Sequence, residues 1–84
     1  MTKEQIFANI SQIININFAV PSEHITLEAS FRANLGMDSL DLVDLIYFIH
    51  QTFDMEEPVQ AYHELNTVTL LVDFLYEKLH AKEV

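Results

Sequence analysis

The run Leu35-Gly36-Met37-Asp38-Ser39-Leu40-Asp41-Leu42-Val43-Asp44 decides how the chain on either side of it is read. It holds the single glycine of the sequence, followed by a serine set among aspartates at the mouth of a strongly apolar segment. Gly36 can take the left-handed conformation that closes a preceding helical turn. Asp38 then serves as N-cap of the next helix, with Asp41 in the reciprocal position of a capping box. On a helical wheel Leu42, Leu45, Ile46, Ile49 and Phe53 share one face, which is expected to be buried. The other side carries Leu40, Asp41, Asp44, Tyr47, Phe48 and Gln51, with Val43 and His50 at its margin. Apolar residues at Leu40, Val43 and Tyr47, mixed with acids, have the spacing that helices use to dock partners. The competing reading has Tyr47 and Phe48 folding down as additional core, and it carries more weight for Phe48 than for Tyr47.

Towards the N-terminus, Thr2 and Gln5 form a second capping-box pattern, with Glu4 in the first turn. Ile6, Ile10, Ile13 and Asn17, flanked by Phe7 and Ile14, predict a helix from about Lys3 to about Asn15. Ile14, Ile16, Phe18 and Val20 also alternate with a period of two, but a strand there has no partner elsewhere, so the helix is preferred and expected to fray near Ile16. Val20-Pro21-Ser22 ends it. A long irregular connection follows, pinned to the core by Ile25, Leu27, Phe31 and Leu35, with one helical turn over residues 30–35. Connections of this length are often functional. Towards the C-terminus, residues 54–58 break the apolar helix, and Pro58 opens a short helix of about two turns over Val59–Leu65. Asn66 or Thr67 caps a last helix striped by Val68, Leu71, Val72, Leu75 and Leu79, which runs to about His80 before residues 81–84 fray. The expectation is an all-α fold, a small four-helix bundle with three longer helices, one short helix and a long first loop, forming one domain over residues 1–84.

The chain has 84 residues, half of them apolar, which is enough for one core. It has no cysteine, so neither a disulfide framework nor a thiolate metal site can be drawn. No apolar run reaches the ~20 residues of a membrane span, and no secretory signal pattern opens the chain, so the expectation is a soluble, cytoplasmic protein. Thirteen acids face four bases, for a formal charge of −9. The bases are Lys3, Arg32, Lys78 and Lys82, so every charged residue from Ala33 to Glu77 is negative. Such a field repels nucleic acid and steers towards basic protein surfaces. Acidity that serves only solubility explains the composition equally well, and the placement of the acids beside Ser39 is what favours a docking role.

Catalysis is poorly supported. A serine nucleophile needs a histidine oriented by a carboxylate, and the residue two after Ser39 is Asp41 rather than the glycine of a nucleophile elbow. His24, His50, His63 and His80 lack zinc-binding spacings. Asp54, Glu56 and Glu57 lack the rest of a calcium loop. Asp38, Asp41 and Asp44 could attract a cation loosely, but capping accounts for the first two, so no metal site is expected. One glycine cannot make a phosphate-cradling loop. What the position of Ser39 does suit is a phosphodiester on its hydroxyl, because a helix start favours anions.

The segment Leu35-Gly36-Met37-Asp38-Ser39-Leu40 resembles the leucine-glycine-x-aspartate-serine-leucine signature of acyl carrier proteins. The resemblance extends to Ala29-Ser30-Phe31 before it and to Phe53-Asp54, Pro58 and Thr67-Val68 after it, which together cover most of the chain. It implies a 4′-phosphopantetheine arm on Ser39, installed from coenzyme A by a magnesium-dependent phosphopantetheinyl transferase, with Asp38 helping the transferase engage the serine. The arm's thiol would carry acyl thioesters, so the protein would be a non-catalytic carrier. By the same resemblance, Leu40, Asp41, Val43, Asp44 and Tyr47 would face the basic docking patches of acyl-transferring and chain-elongating enzymes. The protein would act as a monomer, binding no nucleic acid and spanning no membrane, and part of the apolar interior would open to the acyl chain. His50-Gln51-Thr52 stands where carriers of fatty acid synthesis keep acids, and Tyr47-Phe48 is bulkier than their pattern. These departures leave fatty acid, polyketide and related specialised lipid pathways open. The alternatives are an aminoacyl, peptidyl or D-alanyl carrier, which Met37-Asp38-Ser39-Leu40-Asp41 fits less well, and an unmodified helical interaction module.

Overall fold

A computed structural model describes residues 1–82. Three α-helices make the frame: α1 (Lys3–Phe18), α2 (Ser39–Phe53) and α3 (Val68–Lys82). Short 3-10 turns lie at Ser22–His24 and Val59–Tyr62, and no strand is present among the described residues. The all-α expectation holds. Helix α1 packs against both α2 and α3, and the buried side chains form one cluster. From α1 come Ile6, Ile10, Ile13 and Ile14; from α2, Leu45, Ile46, Ile49 and Phe53; and from α3, Val68, Leu71, Val72 and Leu75. These are the stripes that a period of 3.6 selects.

Both predicted capping boxes form. The Thr2 hydroxyl accepts from the Gln5 amide at 3.1 Å while the Gln5 side chain accepts from the Thr2 amide at 2.8 Å. Helix α1 continues past Asn15 to Phe18, and Ala19 ends it at φ 56°. Two asparagine side chains hold this last turn: Asn17 donates to the Ile13 carbonyl at 3.0 Å and Asn15 to the Val20 carbonyl at 2.8 Å. The first ties the last turn back onto the helix and the second ties it to the chain beyond the C-cap, and the helix runs on through the β-branched stretch.

The long connection is ordered by the start of α3. The first amides of a helix lack intrahelical partners. Here Val68 donates to the Ala29 carbonyl (3.0 Å) and Thr69 to the Leu27 carbonyl (2.9 Å). The Leu70 amide is capped by the Thr67 hydroxyl at 3.3 Å. Phe31 returns a bond to the Asn66 carbonyl (3.1 Å), giving a single antiparallel bridge between Ser30 and Thr67. Ile25, Phe31 and Leu35 are buried as expected, but the Leu27 side chain is 43% exposed. Leu27 therefore anchors the loop through its carbonyl and not through its side chain. The helical turn over residues 30–35 is present, with Asn34 and Leu35 donating to the Ser30 carbonyl and Gly36 at φ 66°.

The short element before α3 is a 3-10 turn and not two turns of α-helix. Its bonds run from Ala61 to Pro58, His63 to Gln60 and Leu65 to Tyr62. No side chain caps its start, and Tyr62 is its one buried residue. With a single anchor and no cap, nothing repays the nucleation of a longer helix. Helix α3 extends to Lys82, past the expected end at His80, and the last residues of the expected frayed tail, Glu83 and Val84, lie outside the described residues.

Candidate functional site

Ser39 is the first residue of α2 and is exposed. Asp38 immediately before it closes the capping box: its carboxylate accepts from the Asp41 amide at 2.9 Å, and the Asp41 carboxylate accepts from the Asp38 amide at 3.2 Å. Two carboxylates thus neutralise helix-start donors and fix the backbone that presents Ser39. Buried Leu35 and Met37 flank the turn on the near side, and Met37 donates to the Phe31 carbonyl at 2.9 Å. The serine stands on a braced junction.

The Ser39 hydroxyl accepts from the Arg32 guanidinium at 2.9 Å. No histidine hydrogen-bonds it among the described residues; His50 is engaged with the Tyr62 hydroxyl at 2.9 Å. A hydroxyl that accepts from a cation, with no base to take its proton, is not set up as a nucleophile for this protein's own use.

Beside Ser39 opens a cavity of about 350 Å³ between α2 and the 3-10 turn. Ser39 and Arg32 stand on its lining with Phe31, Val43, Ile46 and Tyr62. A smaller space of about 40 Å³ shares Phe31, Leu42, Ile46, Tyr62 and Leu65 with it and reaches Ile49 and Leu71 in the interior. The route inward is apolar apart from the tyrosine hydroxyl, which points to a use for an aliphatic group and not for a charged one. Tyr62 titrates abnormally: burial, with the charge of Glu57 adding to it, pushes its hydroxyl up to about 12. It stays neutral at physiological pH.

On the outward side of α2, Leu40 is 76% exposed, Val43 49% and Tyr47 58%. Tyr47 does not fold into the core. Its hydroxyl accepts from Gln51 at 2.9 Å and its ring lies edge-on to Phe48, so it is held outward in one pose. Phe48 does turn inward, half-buried against Phe18. Asp44 is exposed, and its carboxylate makes no hydrogen bond or ion pair among the described residues. Asp41 differs from it in being half-buried and occupied with capping. Sequence pattern alone gives Arg32, Tyr62 and His50 no role. The one available signal was that Arg32 is the sole lysine or arginine between Lys3 and Lys78.

Ser39 is thus an exposed hydroxyl on a capped helix start, with no hydrogen-bonded histidine among the described residues and with an apolar cavity beside it. Comparison with known proteins places the chain in a family. The sequence model described as "Phosphopantetheine attachment site" matches residues 4–75. An acyl carrier protein of Rubrobacter xylanophilus is 39% identical over 77 residues, covering 92% of this chain and 95% of that protein. Acyl carrier proteins of Coprothermobacter proteolyticus and Guillardia theta are 34% and 33% identical, over 98% and 96% of this chain and the full length of each relative. The chain belongs to the acyl carrier family of phosphopantetheine-bearing proteins. It is a non-catalytic carrier whose prosthetic group is phosphopantetheine, and as such it works with a modifying transferase and with synthesis enzymes. The residues around Ser39 fit that group: a hydroxyl open to solvent, a guanidinium beside it and an apolar recess behind. None of the described helices is long and apolar enough to cross a membrane.

Proposed function

We propose that Ser39 bears the 4′-phosphopantetheine arm and that the chain shuttles acyl thioesters between enzymes of fatty acid, polyketide or related lipid synthesis. The observation that carries this reading is the exposed Ser39 hydroxyl at the first position of α2, on the rim of the apolar cavity. When bound, the arm supplies a thiol, which this cysteine-free chain cannot provide itself. Asp38 holds the helix start rigid, so that a transferase meets the serine in one geometry. Leu40, Val43 and Tyr47 offer apolar contact area, and Asp44 and Asp41 offer charge, to partners with basic docking patches. Ile46, Leu42 and Leu65 line the way by which an aliphatic cargo is shielded from water. His50-Gln51-Thr52 stands where carriers of fatty acid synthesis keep acids, and Tyr47-Phe48 is bulkier than their pattern, which favours a dedicated partner set in a specialised pathway. The protein acts as a monomer in the cytoplasm.

The test is to incubate the purified protein with coenzyme A, magnesium and a broad-specificity transferase, and to weigh it intact. The expected result is a gain of one arm in the wild type and none in Ser39→Ala. An unchanged wild-type mass, or an equal gain in the variant, contradicts the reading.

A further inference from the structure

We infer that Arg32 is the anion-binding side chain of the attachment site: its guanidinium grips the phosphodiester of the arm and thereby sets the arm's direction over the cavity. This rests on the reading that Ser39 carries the arm. Arg32 Nη2 donates to Ser39 Oγ at 2.9 Å. That oxygen is the atom to which phosphorus would be joined, so the charged phosphate oxygens would lie two bonds beyond the present acceptor. Esterified, the oxygen becomes a poorer acceptor, while its new neighbours carry a full negative charge. The guanidinium exchanges one for the other without any element having to move, and its planar fork suits the pair of phosphate oxygens.

The surroundings single Arg32 out. In a chain with thirteen acids, an exposed arginine would be expected to find a carboxylate. Arg32 makes no ion pair among the described residues; Lys3, by contrast, meets Asp73 at 2.9 Å. The two nearest acids in sequence to Ser39, Asp38 and Asp41, turn their carboxylates to each other's amides. Arg32 is thus the cation left for the site. Its backbone is fixed by the turn over residues 30–35, between buried Phe31 and Leu35. Arg32 and Ser39 also line the same cavity, whereas Leu40 and Tyr47 stand off it on the outward face. A phosphate held by Arg32 starts the arm on the cavity side of α2, where Val43 is the one docking-face residue it meets, and away from Leu40 and Tyr47.

The test loads wild type, Arg32→Gln and Arg32→Lys with coenzyme A and transferase, checks each by intact mass, and compares phosphorus and guanidinium NMR signals. Because the site is exposed, the effect is of moderate size: loading should slow solvent exchange of the Arg32 Nε–H by on the order of two- to five-fold and shift its resonance. The phosphorus resonance of loaded wild type should differ from that of loaded Arg32→Gln at low salt and converge with it at high salt, with Arg32→Lys between them. Normal loading with coincident phosphorus resonances and an unmoved Arg32 signal would overturn the clamp while leaving the attachment reading standing. Failure of the wild type to load would overturn both. The Arg32 signal in unmodified sequence needs no variant, so the result does not depend on how a substitution folds.

Discussion

Of the three described residues in the left-handed conformation, Gly36, Ala19 and Asp54, the first two contrast most in chemistry. Gly36 adopts it at φ 66° with nothing within 4 Å of the position a Cβ would occupy. Ala19 does so at φ 56° although its side chain disfavours it. Gly36→Ala should therefore cost about 1–2 kcal/mol through backbone strain alone, with no clash. Ala19→Gly should gain up to about 1 kcal/mol, the relief being partly offset by the freedom glycine adds to the unfolded chain. Urea unfolding should show both as midpoint shifts at constant slope. Tyr62 makes a pH prediction. Its hydroxyl is raised from 10.0 to about 12 in the folded state. Below pH 10 both states keep the proton and the stabilisation is complete. Between 10 and about 12 the unfolded state loses the proton first, so stability falls as pH rises through this window. Tyr62→Phe gives up the bond to His50, about 1 kcal/mol, yet escapes that fall. The stability gap between the two proteins should narrow from pH 10 upward; a constant gap in urea unfolding would show that Tyr62 is not responsible.

At the scale of elements, helix α2 divides its acids between two tasks. Asp38 and Asp41 close its first turn, while Asp44 is free of such engagement and faces solvent. Asp44→Lys should slow association with basic partners and leave melting nearly unchanged. Asp41→Lys should slow it too, and should also lower stability by about 1 kcal/mol through the lost cap. Stopped-flow association rates against salt, alongside thermal melts, separate the two effects. Salt-insensitive rates that do not respond to Asp44→Lys would reduce the acids to a solubility device. The elements themselves were unevenly legible. Both capping boxes and all three apolar stripes could be read from spacing, because those interactions lie within one turn. The 3-10 character of Val59–Tyr62 could not, since it reflects the lack of a cap and of a second buried anchor. Nor could the pinning of the long loop by the amides of Val68 and Thr69, which joins backbone groups some forty residues apart and leaves no mark in side-chain pattern.

For the molecule as a whole, charge and site geometry dominate. A net charge of −9 is held within a radius of gyration of 11.8 Å. Those distances are comparable with the ~8 Å screening length at physiological salt, so the acids repel one another across the fold. The melting temperature should rise between low and moderate ionic strength; a flat response would mean the acids are too well spread to matter. The position of Ser39 on the fold was legible in the sequence, because glycine, N-cap and apolar helix fall in one short run. The guanidinium of Arg32 was not, because its link to Ser39 depends on how the turn over residues 30–35 folds back. Nor was the Tyr62–His50 pair, twelve residues apart and joined by packing. The central claim is that Ser39 is the attachment point, and the most direct measurement is fragment mass mapping of the protein taken from its own cells. The account predicts one phosphopantetheine, free or acylated, on the fragment spanning Leu35–Asp44 and localised to Ser39. An arm on Ser11, Ser22 or Ser30, or a chain that is never modified, would contradict it.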